Sequence, residues 1–227
     1  MGSDDIFKRQ KAKRKPRGYA FRQPKANSYL IVTEGKRTEP LYFEGLKKKI
    51  EEKMGGNLDV YEVPQIEISG EGRSTNALIN KAEELVSKSK ILYQNIWIVF
   101  DKDDFVDFDL AIKNAEKKGY KVAWSNQSFE YWLYLHFAYS DTALHRNEWN
   151  RKLSEIFKEY KLGKGKYTKN DKNIYLLVDT FDGVNTAIRN AKRRMSAYEK
   201  GDIKPSNYDP GTTVYKLMEE LLEYLAE

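Results

Sequence analysis

Residues 29–43, YLIVTEGKRTEPLYF, decide how the chain is read. "YLIVT" is a short apolar, β-branched run of the kind that forms a strand buried on both faces. Directly behind it stand an acid and a glycine, Glu34 and Gly35, then a basic pair, Lys36 and Arg37. Thr38 can cap a helix whose first turn holds Glu39 and Pro40, with apolar residues Tyr42, Phe43, Leu46 and Ile50 at helical spacing. Strand, small basic loop and helix open a parallel α/β unit. They also place Glu34 at the edge of an apolar sheet, where an unpaired carboxylate is expensive.

The alternation continues downstream. "VYEVPQIEI" reads as a second strand, and Pro64 argues for an edge position or a bulge. "SGEGRSTNALINKAEELVSKS" gives a glycine loop, a Ser74 or Thr75 cap and an amphipathic helix through Ala77, Leu78, Ala82, Leu85 and Val86. "NIWIVF" is the strongest strand signal. After it come "DKDDFVDFD", a helix from about Asp107 to Lys118, the strand "KVAWS" and a helix beginning near Gln127. Four strands separated by helices predict an open, mostly parallel sheet flanked by helices in three layers.

Beyond about Ser140 the strand signals fade. Helical spacing recurs in Trp149, Leu153, Ile156, Phe157 and Tyr160, then in Val184, Ile188, Ala191, Met195 and Tyr198. A last helix follows "NYDPGTT" with Val214, Leu217, Met218, Leu221 and Leu225. The expected organisation is a basic tail over 1–27, an α/β domain over 28–140 and a helical region over 141–227 packed on it.

Composition narrows the chemistry. With no cysteine in 227 residues, disulfides, thiolate metal sites and cysteine nucleophiles are excluded. No apolar run approaches the roughly 20 residues of a membrane span and the N-terminus has no apolar signal core, so a soluble, cytoplasmic protein is expected. The net charge of +6 has one source: residues 1–22 hold eight basic and two acidic residues, leaving 32 of each sign in the remainder. That tail is either a solvated leader or a segment that neutralises phosphates.

In an open parallel sheet, ligands bind beyond the carboxyl ends of the strands. Glu34 follows the first strand, and Asp101 and Asp103 follow "NIWIVF". Extended alternation sends Asp101 and Asp103 to one side and Lys102 to the other. If those two strands are neighbours, the three carboxylates meet at one edge, where they either retain a proton or bind a cation, and oxygen ligands without His or Cys suit Mg²⁺ or Mn²⁺. Such an ion bridges to a substrate phosphate, which Lys36 and Arg37 would hold from the loop. Acids behind strands also serve as helix caps and turn residues, and that alternative stays open.

Further candidates lie downstream. Ser128 can cap the fourth helix, placing Glu130 in its first turn as a further ligand or general base, or simply as a partner of the helix dipole. His136 sits six residues on and off Glu130's face, either packed or touching substrate. In "GKGKYTKND", Lys164, Lys166 and Lys169 surround Tyr167, a combination suited to a phosphate and a stacked base, or to a solvated loop. Arg189 and Arg193, four apart on one helix face, could track a nucleic-acid backbone or form an exposed basic face that binds nothing.

"IVTEGKRTEPLYF" followed by "IWIVFDKDDF" resembles the TOPRIM domain, with its glutamate and glycine after the first strand and Asp-x-Asp after a later one. The segments "NQSFEYWLYLHF", "GKYTKND" and "DPGTTVYKLMEEL" extend the resemblance, from about Ser28 to the C-terminus, to the RloB-like proteins found beside restriction and phage-defence loci. The resemblance implies a TOPRIM fold with Glu34, Asp101 and Asp103 as Mg²⁺ ligands. It further implies a nuclease in abortive infection or a similar defence, cutting host RNA or phage nucleic acid; RNA, including tRNA, is the substrate expected over DNA. The partners expected are nucleic acid, a second copy of the chain, and a separate sensor ATPase or restriction-locus protein, because the chain has no Gly-x-x-x-x-Gly-Lys-Ser/Thr motif. The contrasting expectation is a binding subunit that cuts nothing and holds a regulatory metal or nucleotide.

Overall fold

Among the described residues the alternation of apolar runs becomes four strands: β1 (Ser28–Thr33), β2 (Gln65–Gly70), β3 (Asn95–Asp101) and β4 (Lys121–Ser125). They form one sheet in the order β2-β1-β3-β4, with every neighbouring pair parallel. The computed structural model describes residues 27–54, 65–71, 75–102, 106–198 and 204–226. The expected basic tail, Pro64, Ser74 and Asp103 therefore lie outside the described residues. β2 takes the edge position that Pro64 argued for.

Parallel neighbours need crossovers, and these are α1 (Thr38–Met54), α2 (Thr75–Lys88) and α3 (Phe108–Lys117). Side-chain alternation divides the sheet into two buried faces. Tyr29, Ile31, Trp97, Val99 and Ala123 join one core with α1 and the later helices, while Leu30, Val32, Ile98, Phe100 and Trp124 join the other with α2 and α3. β1 feeds leftward to β2 and β3 feeds rightward to β4, so the crevice between the ends of β1 and β3 is the topological switch point.

The chain after β4 is helical, as expected: α4 (Phe129–Leu135), α5 (Arg146–Glu159), α6 (Ile174–Val178), α7 (Gly183–Ser196) and α8 (Val214–Leu222), with 3-10 turns at Pro205–Asn207 and Glu223–Leu225. They pack on the α1 side, through α1 with α6, α4 with α5 and α7, and α8 with β4. α6 was not anticipated. The fourth helix begins at Phe129 rather than near Gln127, because Gln127 has φ 72° and Ser128 is extended. Leu225 lies in the closing 3-10 turn rather than in α8.

"DPGTT" turns out to protect the sheet edge. Residues 211–213 lie along β4, with Thr213 N donating to Trp124 O at 2.8 Å and Asn126 N to Gly211 O at 2.8 Å. Thr213 Oγ1 accepts from Trp124 N at 3.0 Å. An uncovered edge would present unpaired amides to other chains. Among the described residues no helix is long and apolar enough to cross a membrane.

Candidate active site

β1 delivers Glu34 to the switch point by extending its ladder one residue beyond the strand: Glu34 N donates to Val99 O of β3 at 2.8 Å. Its side chain then reaches across, and Glu34 Oε2 accepts from Asp101 N at 3.2 Å. Asp101 in turn caps α4, its Oδ2 accepting from Phe129 N at 2.9 Å. The helix cap expected of Ser128 is therefore supplied from the end of β3, and Ser128 Oγ is buried without a partner. Thr38 Oγ1 donates to Lys169 O at 2.9 Å and ties the 161–172 loop to the start of α1.

Glu130 is 2 % exposed. It accepts from Tyr167 OH at 2.9 Å and pairs with Lys169 Nζ at 3.0 Å. Tyr167, expected to stack on a base, is itself buried against Phe157, which corrects that expectation.

The structure adds an acid that sequence reasoning passed over. Glu39, buried in the first turn of α1, lies against the loop so closely that a Cβ on Gly35 would stand 2.0 Å from its Oε2. A larger residue there would have to displace the Glu39 carboxyl. Read as a helix-favouring first-turn acid, Glu39 left one signal in the sequence: it heads the stripe Glu39, Phe43, Leu46, Ile50, an acid on an otherwise apolar face. Gly70 has a similar duty, since a Cβ there would meet Pro40 Cγ at 2.6 Å and Gly35 O at 2.8 Å, so the 35–36 loop lies over the end of β2.

Electrostatics binds the acids into one group. Asp101 is only partly covered as a residue, but its carboxyl is enclosed, and burial, followed by the charges of Glu39, Glu130 and Glu34, raises its pKa well above the usual range. Burial and the Glu130 charge push Glu39 up to about 7, against the amides of Glu39 and Gly35 and the charge of Lys169. Enclosed carboxylates that raise one another's pKa favour either a proton or a cation.

A hard divalent ion fits this donor set, which is all oxygen, enclosed and mutually repelling, beside an unpartnered Ser128 hydroxyl. Glu34 and Asp101 are the described residues that would hold it, with Asp103 beyond the described ones. Among the described residues no three such side chains form a ready-made cage. Lys36 and Arg37 lie exposed at the rim, as does Lys169.

Other candidates lie elsewhere. His136 is 3 % exposed, with Nε2 at 3.0 Å from Tyr42 OH and Nδ1 at 3.0 Å from Trp132 O. With both ring nitrogens engaged in the core, it is a packing residue and does not reach a substrate. Arg189 faces Asp182 at 3.7 Å, Arg193 covers the Tyr139 ring at 4.0 Å, and neither touches the acids. Lys166 is exposed on the loop that carries Lys169.

Fold and site together define a class: a doubly wound α/β protein with a group of acids gathered at its switch point and exposed basic residues beside it. A family model described as RloB-like protein matches residues 29–221, and the chain belongs to that family. No curated protein and no solved structure matches the chain.

Proposed function

We propose that the protein is a divalent-metal-dependent nuclease of the TOPRIM type, cutting RNA, including tRNA, in preference to DNA as an effector of phage defence. The observation that carries this reading is the group of carboxylates Glu34, Asp101, Glu39 and Glu130 at the switch point, the last three with buried carboxyls, with exposed Lys36, Arg37 and Lys169 beside it. Membership of the RloB-like family supports the defence setting, and the resemblance of the "TEGKRTEP" and "FDKDDF" segments to TOPRIM motifs supports the reaction type.

Glu34, Asp101 and Asp103 would hold Mg²⁺ or Mn²⁺. A bound ion supplies a Lewis acid that neutralises phosphate charge and acidifies water. The chain's own groups do the rest. Lys36 and Arg37 hold the phosphate from the loop before α1. Glu39, buried beside the Asp101 and Glu130 carboxyls, is placed to exchange a proton with the reacting oxygen as acid or base. Tyr167 and Lys169 fix the Glu130 carboxyl and leave it at the back of the group.

The test is cleavage of total tRNA, single-stranded RNA, plasmid and single-stranded DNA, with Mg²⁺, Mn²⁺ or EDTA, by the wild type and Asp101→Asn. Asparagine retains an acceptor for Phe129 N, so the α4 cap survives. Discrete products that need metal and vanish in the variant are expected. Folded protein that cuts nothing would give the protein to the alternative, a binding subunit awaiting a sensor ATPase.

A further inference from the structure

The residue expected to stack on a base, Tyr167, is buried, yet the chain displays aromatic rings elsewhere. Phe181 is 79 % exposed and Tyr160 47 %, and their ring centroids stand 6.3 Å apart. Phe181 contributes almost nothing to the core. Its backbone has φ 55°, and Asp182 follows at φ 61°, a left-handed conformation that a side chain rarely adopts and that is held at some cost. A folding requirement would place glycine or asparagine there, not an exposed phenylalanine.

The pair is connected to the acid group. From Tyr160 the chain runs directly into the loop whose Lys169 pairs with Glu130 and whose Lys169 carbonyl is held by Thr38. Ring contacts trace the same path, from Phe181 to Tyr160, Phe137, Phe157 and Tyr167, in steps of 5.8 to 6.3 Å. Gly163 turns this loop against Leu177 of α6, where a Cβ would be 3.5 Å from the leucine. Residues 158–172 hold six lysines against two acids, Glu159 and Asp171. Lys158, Lys161, Lys164 and Lys166 are all exposed.

We propose that Tyr160 and Phe181 form a stacking platform for unpaired bases of a single-stranded nucleic acid, whose backbone follows Lys161, Lys164 and Lys166 to the acid crevice. The inference rests on the nuclease reading and names its substrate class: strands with accessible bases, whether free or in a loop. Charge decides between nucleic acid and a protein partner, because a lysine track leading away from two exposed rings matches a phosphate backbone and its bases.

The experiment is fluorescence anisotropy in EDTA, where nothing is cut, with a labelled 15-mer of oligo(U) and a blunt duplex of the same length. The wild type binds the single strand more tightly than the duplex. Phe181→Ala weakens that binding roughly ten-fold, Phe181→Leu does the same, and Phe181→Trp restores it. Replacing Lys161, Lys164 and Lys166 together with alanine lowers the slope of log K against log salt by about 2.

Single-strand binding unchanged in Phe181→Ala would overturn the platform and leave the nuclease reading standing. Full binding by Phe181→Leu would overturn stacking in favour of a plain apolar contact. A change in elution on a sizing column without any change in oligonucleotide binding would assign the rings to a protein interface. No binding by the wild type overturns the proposal outright, whereas intact, ring-dependent binding by a protein that fails to cut with metal keeps the platform and removes the nuclease.

Discussion

Gly35 matters because of what lies against it, not because of its own conformation. A Cβ would meet the Glu39 carboxyl, which is itself buried and has little room to withdraw. Gly35→Ala is expected to cost about 1–3 kcal/mol by overpacking and to displace Glu39 from the acid group. In a Glu39→Ala background the obstructing carboxyl is gone, so the same substitution should be nearly neutral. The coupling from a double-mutant cycle by urea unfolding should therefore reach at least about 1 kcal/mol. Additive costs would mean that the glycine is needed for some other reason. The contact also explains why Glu39 escaped sequence reading: an acid in the first turn of a helix has a sufficient local role, and its place beside the other acids appears only when the loop folds over it.

Among the elements, α4 shows how the sheet and the helical region are joined. Phe129, Glu130, Tyr131, Trp132, Leu133 and Leu135 are all buried, and His136 closes the helix by bonding Tyr42 of α1. Burial lowers the His136 pKa to about 4, against roughly 6.5 in the unfolded chain. The unfolded state therefore binds the extra proton between those values. The resulting stability is complete above pH 6.5 and is lost as pH falls toward 4, about 3 kcal/mol in all. Thermal unfolding between pH 7.5 and 4.5 should show a shallower decline in His136→Gln than in the wild type, and equal slopes would refute the assignment. At the far edge of the sheet, Thr213→Val keeps the shape but leaves Trp124 N without its side-chain acceptor, and should lower stability by about 1–3 kcal/mol in urea. The strands and α3 were legible because their apolar periods are set by local sequence: "KVAWS" is β4, and the helix expected from Asp107 to Lys118 is α3 with those residues at its ends. α6 was not legible because five residues are too short to establish a period. Glu34, Asp101 and Glu130 could be picked out by their places behind strands and in a first turn, whereas the burial of Tyr167 and His136 is set by elements distant in the chain.

For the molecule as a whole, the acid group opposes the histidine. Raised pKa values for Asp101 and Glu39 mean that the folded, metal-free protein holds protons the unfolded chain has released. Their contribution is complete below about pH 4, the unfolded carboxylate range, and is lost as pH rises through the folded value near 7 for Glu39 and the raised value for Asp101. A divalent ion that binds only the folded state adds RT ln(1 + [L]/Kd), about 2.7 kcal/mol at one hundred times Kd, and competes with those protons. Saturating Mg²⁺ should therefore raise the melting temperature more at pH 8 than at pH 5.5. Asp101→Asn should melt higher than the wild type at pH 8 without metal, because a buried repulsion is gone, and should lose most of its response to Mg²⁺. Differential scanning fluorimetry of the full chain at both pH values, with Ca²⁺ as a second hard cation, reads all of this without any assumption about cleavage. A Mg²⁺ response that is flat with pH, or equal in Asp101→Asn and the wild type, would separate the raised pKa values from metal binding and leave Asp101 as the cap of α4 alone.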